Sequence, residues 1–292
     1  IGNTEQFSGN AAIGAWVTSG SMNTAKKLLG GFGTPTSALA FGGETPDQSA
    51  TNKTEQYNGT SWSEVNNLNT AREQHKAGGT DSTSGLTFGG INPSGPSLTN
   101  VTESWNGSVW TEVNDLNTAR RDLAGVGIVT AALAFGGYGP SDNSATNESW
   151  NGSSWTEVGD LNTARRSLGG AGTNTAAIAF GGYTSTDVAN TESWNGSAWT
   201  EVNDLPEAVN SVTGAGTNTA ALSIGGGTPR TKSWNGTNWS NDSQMNTARG
   251  ALASDGTQTA AIAMGGSPPV TGATELWNGT GLVTSTVTTT SD

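Results

Sequence analysis

The chain has 292 residues, of which 43 are glycine and none is cysteine, and only 12% carry a charge. Lack of cysteine excludes a disulfide framework and thiolate metal sites, and the single histidine, His75, leaves little for imidazole catalysis or zinc. Acidic residues outnumber basic ones 24 to 12, a net charge of −12 that repels a nucleic-acid backbone, and no apolar run approaches the roughly 20 residues needed to span a bilayer.

Read from the N-terminus, one block recurs along the chain. Its first aromatic is Phe7, Tyr57, Trp105, Trp150, Trp194, Trp234 and Trp277, at intervals of about 45 residues. A Gly-Gly pair closes the other half of each unit, first at Gly42-Gly43 and last at Gly265-Gly266. In one unit the pattern predicts a first strand over 122–127 and a second over 131–135, whose short apolar run suits burial on both faces. A variable loop leads to a third strand over 146–150. Asn151-Gly152 then predicts a type I′ hairpin into a fourth strand over 154–158. Four-stranded antiparallel units repeated radially make a propeller, with a core built from few large side chains: 11 Trp, 6 Phe and 3 Tyr.

The chain holds seven third-plus-fourth-strand halves but six first-plus-second-strand halves. A six-bladed ring is favoured, in which an N-terminal half-blade over 4–19 completes the last blade and the C-terminal copy after Thr274 is an extra arm. The alternative is seven blades, with the missing inner hairpin preceding Ile1, a start that shows neither an initiator Met nor a signal-peptide core. The expected organisation is one propeller domain over 1–279. Residues 280–292, rich in Thr and Ser, form a linker or a donated strand.

A basic residue opening strand one, an apolar strand ending in Gly-Gly, an aromatic in strand three and a Trp in strand four together resemble the kelch repeat, over nearly the whole chain. The Asn-Thr-Ala-Arg and Ala-Ala-Leu-Ala-Phe-Gly-Gly wording resembles kelch-like repeat proteins of tailed, marine and cyanobacterial bacteriophages. This resemblance implies a non-enzymatic structural or adhesive propeller, on a virion or in another extracellular assembly. Its implied partners are other virion or assembly proteins and host surface glycans, without cofactor, metal, nucleic acid or membrane insertion. Two other readings stay open. Against a propeller glycosidase or other carbohydrate-active enzyme, the tyrosine-cysteine cofactor and histidine ligands of galactose-oxidase relatives cannot form here. For an intracellular kelch-type adaptor, the chain has no accompanying helical domain.

Comparing blades within the chain separates scaffold from function. The basic residue is Lys26, Arg72, Arg120, Arg165, Val209 and Arg249, and the third-strand acid is Glu55, Glu103, Glu148, Glu192, Lys232 and Glu275. Both change in the same blade, which predicts a within-blade ion pair lost from both sides, since a buried Glu without its partner is poorly compensated. A cationic ring holding a carboxylate sugar, as sialidase arginines do, is the competing use of these residues. The Trp pairs, such as Trp150 with Trp155, are expected to pack between blades rather than to stack sugars. Six Asn-Gly-Ser/Thr triplets, at Asn58, Asn106, Asn151, Asn195, Asn235 and Asn278, match glycosylation acceptors, but their hairpin position accounts for them. His75 is expected to be a surface or packing residue.

Binding is expected in the loops after Gly-Gly, 44–53, 91–101, 138–146, 183–190, 227–230 and 267–272, which should gather on one face. They differ in length and chemistry and carry Asp47, Pro93, Tyr138, Asp142, Tyr183 and Asp187.

Overall fold

The computed structural model describes residues 14–92 and 98–279. Within them, six four-stranded antiparallel sheets form the blades of a propeller. Blades 1 to 5 span 30–65, 76–113, 124–158, 169–202 and 212–242, and blade 6 combines 253–278 with 15–19. From the axis outward, blade 3 runs Ala124–Ile128, Ala131–Phe135, Asn147–Trp150 and Trp155–Val158. The first strands of neighbouring blades contact one another around a central channel.

Ring closure explains the odd half-unit. Ala15–Ser19 pairs with Thr274–Asn278 and places Trp16 opposite Trp277, their rings 5.4 Å apart. The C-terminal copy is therefore not an extra arm. Its Thr274–Asn278 is the third strand of blade 6, and Trp16 supplies the second Trp that this copy lacks. Pairing the two ends of the ring leaves no free edge at the seam, where an open one would invite association. Phe7, in the expected N-terminal half-blade, and the 280–292 arm lie outside the described residues.

A second closure encircles the axis. Just ahead of each first strand, by two residues in five blades and by one in blade 5, a residue adopts the left-handed region: Leu28, Gln74, Asp122, Ser167, Ser211 and Ala251, with φ from 52° to 57°. Each donates its N–H to the carbonyl of its counterpart in the preceding blade, from 2.7 Å for Leu28 to Ala251 up to 3.3 Å for Ala251 to Ser211. The six bonds form a closed cycle. A non-glycine residue there costs on the order of 1 kcal/mol, and the cycle holds all six in place. It also delays the first strand of blade 3, predicted from 122, until Ala124.

The Gly-Gly pair works by close approach: at Gly136, φ is 65° and a Cβ would lie 2.8 Å from the Arg165 carbonyl of the next blade. The Asn-Gly hairpin departs from the expected type I′ turn. Trp150 pairs with Trp155 across a four-residue loop, and only the glycine, Gly152, has positive φ, at 93°. The Asn151 side chain is the reason: its Oδ1 accepts the N–H groups of Ser153 and Ser154 at 3.0 and 2.9 Å, an Asx turn that substitutes for a second left-handed residue.

The core lies between blades. Phe135 of blade 3 meets Trp199 of blade 4 at 4.9 Å, and Phe88–Trp155 and Phe180–Trp239 repeat the contact. Each such Trp is buried, as the packing expectation requires, and removes on the order of 200 Å² from water, an upper bound of about 5 kcal/mol. Its indole also reaches across the seam: Trp155 Nε1 donates to Thr102 Oγ1 at 3.1 Å, and Trp239 to Thr191 at 3.2 Å.

Candidate functional site

The recurring charges form a buried latch in five blades. Arg120 Nη2 lies 3.0 Å from Glu148, Arg249 Nη2 lies 3.0 Å from Glu275 and Lys26 Nζ lies 3.3 Å from Glu55; Arg72–Glu103 and Arg165–Glu192 are also in contact. All ten side chains are at most 2% exposed. Burial pulls the Arg120 guanidinium down from its usual range and Glu148 pushes it back up. Arg120 also donates to the carbonyls of Gly136 and Ala134, at 3.0 and 3.2 Å, and so binds strand one's approach to the end of strand two.

The asparagine of the Asn-Thr-Ala-Arg segment completes the latch, a role the sequence reading missed. Asn162 N–H and Nδ2 both donate to Glu192 Oε2, at 2.7 and 2.8 Å, and Nδ2 donates to the outer-strand carbonyl of Trp199 at 3.1 Å. Asn23, Asn69, Asn117 and Asn246 repeat the bond to the outer strand. With its lone pairs satisfied in this way, the buried carboxylate is compensated. In these five blades the recurring charges are used up within the blade, and among the described residues they form no cationic ring at the channel mouth.

Blade 5 breaks the pattern. Val209 replaces the arginine, Lys232 the glutamate and Pro206 the latch asparagine. Glu207, at a position that is threonine in the other units, supplies the missing acid: Lys232 Nζ lies 3.0 Å from it, and Arg230 contacts the same carboxylate. The Lys232 hydrogen bond is the largest influence holding that carboxyl below its usual range. The pair has reversed its sign. Proline has neither N–H nor side-chain amide, so this segment is not tied to the outer strand, and a cavity of about 320 Å³ opens there.

The loops after Gly-Gly join second to third strands, on the end of the blades where the axial cycle also lies. On two of them Tyr138 and Tyr183 are brought together: the Arg121 and Arg166 guanidiniums each lie 5.1 Å from the Tyr138 ring centre, and Arg166 lies 4.6 Å from that of Tyr183. Arg121, Tyr138, Arg166 and Tyr183 thus alternate as a half-buried ladder across blades 3 and 4. Asn143 ties it down, accepting from Arg166 at 3.0 Å and donating to the Thr184 carbonyl at 2.7 Å. The exposed acids are not gathered. Asp47 accepts from Thr45 in its own turn, Asp142 accepts the Asn143 N–H at 2.7 Å, and Asp187 accepts from Asn210 at 2.6 Å. Pro93 lies outside the described residues.

Among the described residues, four ionisable groups without counterparts in other blades lie along the channel. His75, 1% exposed, bonds Thr87 through Nδ1 at 2.7 Å, and burial holds it well below its ordinary pKa. It is a packing residue at a position that is Leu or Val elsewhere. Lys76 borders the narrow mouth beside Asp122; burial lowers the amine and raises the carboxyl. At the other end the channel widens to about 290 Å³, and Asp255 lines it. Asp255 Oδ2 accepts the Gly33 N–H and Oδ1 the Gly256 N–H, both at 2.8 Å, while burial pushes the carboxyl up to about 7.

Glu207 and Asp255 were legible by the blade-to-blade comparison that exposed Val209 and Lys232, because each is an acid at a position otherwise uncharged. The axial cycle had no such signal, since Leu, Gln, Asp, Ser and Ala all occupy it. The chain matches no protein-family model, and a search of curated proteins returns no match.

Proposed function

We propose that this propeller is a non-enzymatic, kelch-like structural or adhesive module of a phage particle or other extracellular assembly. It docks other assembly proteins or host surface glycans through the loops after each Gly-Gly. The observation that carries this reading is the contrast between a scaffold repeated almost unchanged and one face where length and chemistry vary, with the Arg121–Tyr138–Arg166–Tyr183 ladder on it across blades 3 and 4. Paired cations and aromatic rings on rigid supports are what protein and glycan interfaces use. All 12 lysines and arginines enter or begin a first or third strand, and so sit toward that same face.

The non-enzymatic assignment rests on chemistry already committed. Five of the six blades use their Arg or Lys and Glu internally, His75 is packed against Phe41, and among the described residues Asp255 has no second carboxylate beside it. Imaging of the native particle at side-chain resolution tests the reading. The expected result is copies of the chain engaged, or presented outward, through the loop face. Contact through the Asn-Gly hairpin face, or a particle that contains no copy of the chain, would overturn it.

A further inference from the structure

We infer that the cleft of blade 5 is a binding site for the carboxylate of an acidic sugar, of the uronic or sialic type. The inference deepens the loop-face reading, because the cleft opens on that face beside the shortest loop, 227–230, and it rests on that reading for its adhesive purpose.

Charge count is the first support. Elsewhere one buried cation meets one buried carboxylate, but here Arg230 and Lys232 share the single carboxylate of Glu207. Within that cluster one positive charge is left over; the cleft's other acid, Asp242, balances it across the wall but forms no ion pair with either cation, its Oδ1 accepting the Ser243 N–H at 2.9 Å. Exposure is the second. Lys232 is 3% exposed and fixed in a strand, whereas Glu207 is 36% and Arg230 49% exposed, so the carboxylate that neutralises the site is the one free to swing aside. An incoming carboxylate can take its place on a preset ammonium and a fork-shaped guanidinium, the geometry that recognises carboxylates bidentately.

The rest of the wall selects a sugar. Asn241, Asp242 and Gln244 line the cleft with amide and carboxylate groups that pair with hydroxyls, and Pro206 gives a small apolar surface for a ring face. A volume of about 320 Å³ accommodates one or two monosaccharide units. The absence of the latch asparagine is what makes this space, so the substitutions that remove the structural pair also create the site.

The test is calorimetric and saturation-transfer titration of the purified chain with galacturonate and N-acetylneuraminate, against galactose and free glutamate. Binding of either sugar acid but not of galactose is expected. Arg230→Gln should weaken it about tenfold, the worth of a charge-assisted hydrogen bond. Glu207→Gln should tighten it several-fold, because the internal competitor is gone. Both positions are exposed, and unchanged thermal melts would show that the variants fold. No binding of either acid overturns the inference, as does binding that ignores both substitutions. Equal binding of glutamate overturns its sugar part. Because the isolated chain is used, these failures leave loop-face docking standing, and a particle engaged through the other face would leave a measured sugar affinity standing.

Discussion

Blades 4 and 5 are neighbours with the same strands, and they differ in how one charge is buried. In blade 4 Arg165 and Glu192 are fully buried, and Asn162 stitches them to the outer strand. In blade 5 the signs are exchanged, the acid lies at the surface and the stitch is a proline. Both blades keep their Trp pair, Trp194–Trp199 and Trp234–Trp239, at 5.4 and 5.3 Å. The difference teaches that packing makes the blade, while the latch decides whether its loop-face rim is sealed or open.

The largest effect should come from opening blade 4. Arg165→Ala leaves Glu192 buried without its partner and should cost about 3–5 kcal/mol in urea unfolding. A smaller effect should come from the opposite change. Lys232→Glu alone puts two acids face to face in blade 5, and adding Val209→Arg should recover about 2 kcal/mol of that loss. If the second substitution recovers nothing, the two blades do not share one latch geometry.

The channel sharpens the comparison through pH. Neutral His75 sits well below 6.5 in the fold, so below that pH the unfolded chain binds a proton that the folded one does not. Its contribution to stability is present above pH 6.5 and is lost as pH falls. Asp255 acts in the other direction. With a pKa of about 7 folded against 3.8 unfolded, it favours the folded state at low pH, and that contribution is lost as pH rises from about 4 to 7. Raised Asp122 and Glu73 add to the same trend. His75→Leu, which restores the residue of most other blades, should therefore leave a stability that falls from pH 4 to 7. A stability that still rises over that range in the variant would refute the assignment. The smallest effect is a repair. Asn147 stands where other blades have Thr, and it and Trp199 Nε1 each leave a buried atom without a partner. Asn147→Thr should raise stability by about 1 kcal/mol, read from the urea midpoint.

The propeller was legible because its determinants are periodic: Gly-Gly, the Trp pair and the Asn-Gly turn announce each blade, and co-variation of Val209 with Lys232 pointed to the ion pair. What stayed hidden depends on backbone or on distance along the chain. The axial cycle is made by N–H and carbonyl groups, which leave no residue preference. Trp16 could be placed opposite Trp277 only once the ends met. The Asn151 turn was misread because Asn-Gly serves both type I′ and Asx geometries, and the four-residue loop selects the second. At the site, Tyr138 and Tyr183 were singled out, but Arg121 and Arg166 were hidden beside the latch arginines. Glu207 stands out in the sequence as an acid at a threonine position, but Pro206 became meaningful only with the cavity beside it.

The most direct measurement is a double-mutant cycle across the blade 4 latch, with Arg165→Met, Glu192→Gln and the double variant compared by urea unfolding. If the repeated charges are a structural latch, each single change costs several kcal/mol and the double costs far less than their sum, a coupling of at least about 2 kcal/mol. Additive costs, or single variants as stable as the parent, would contradict it.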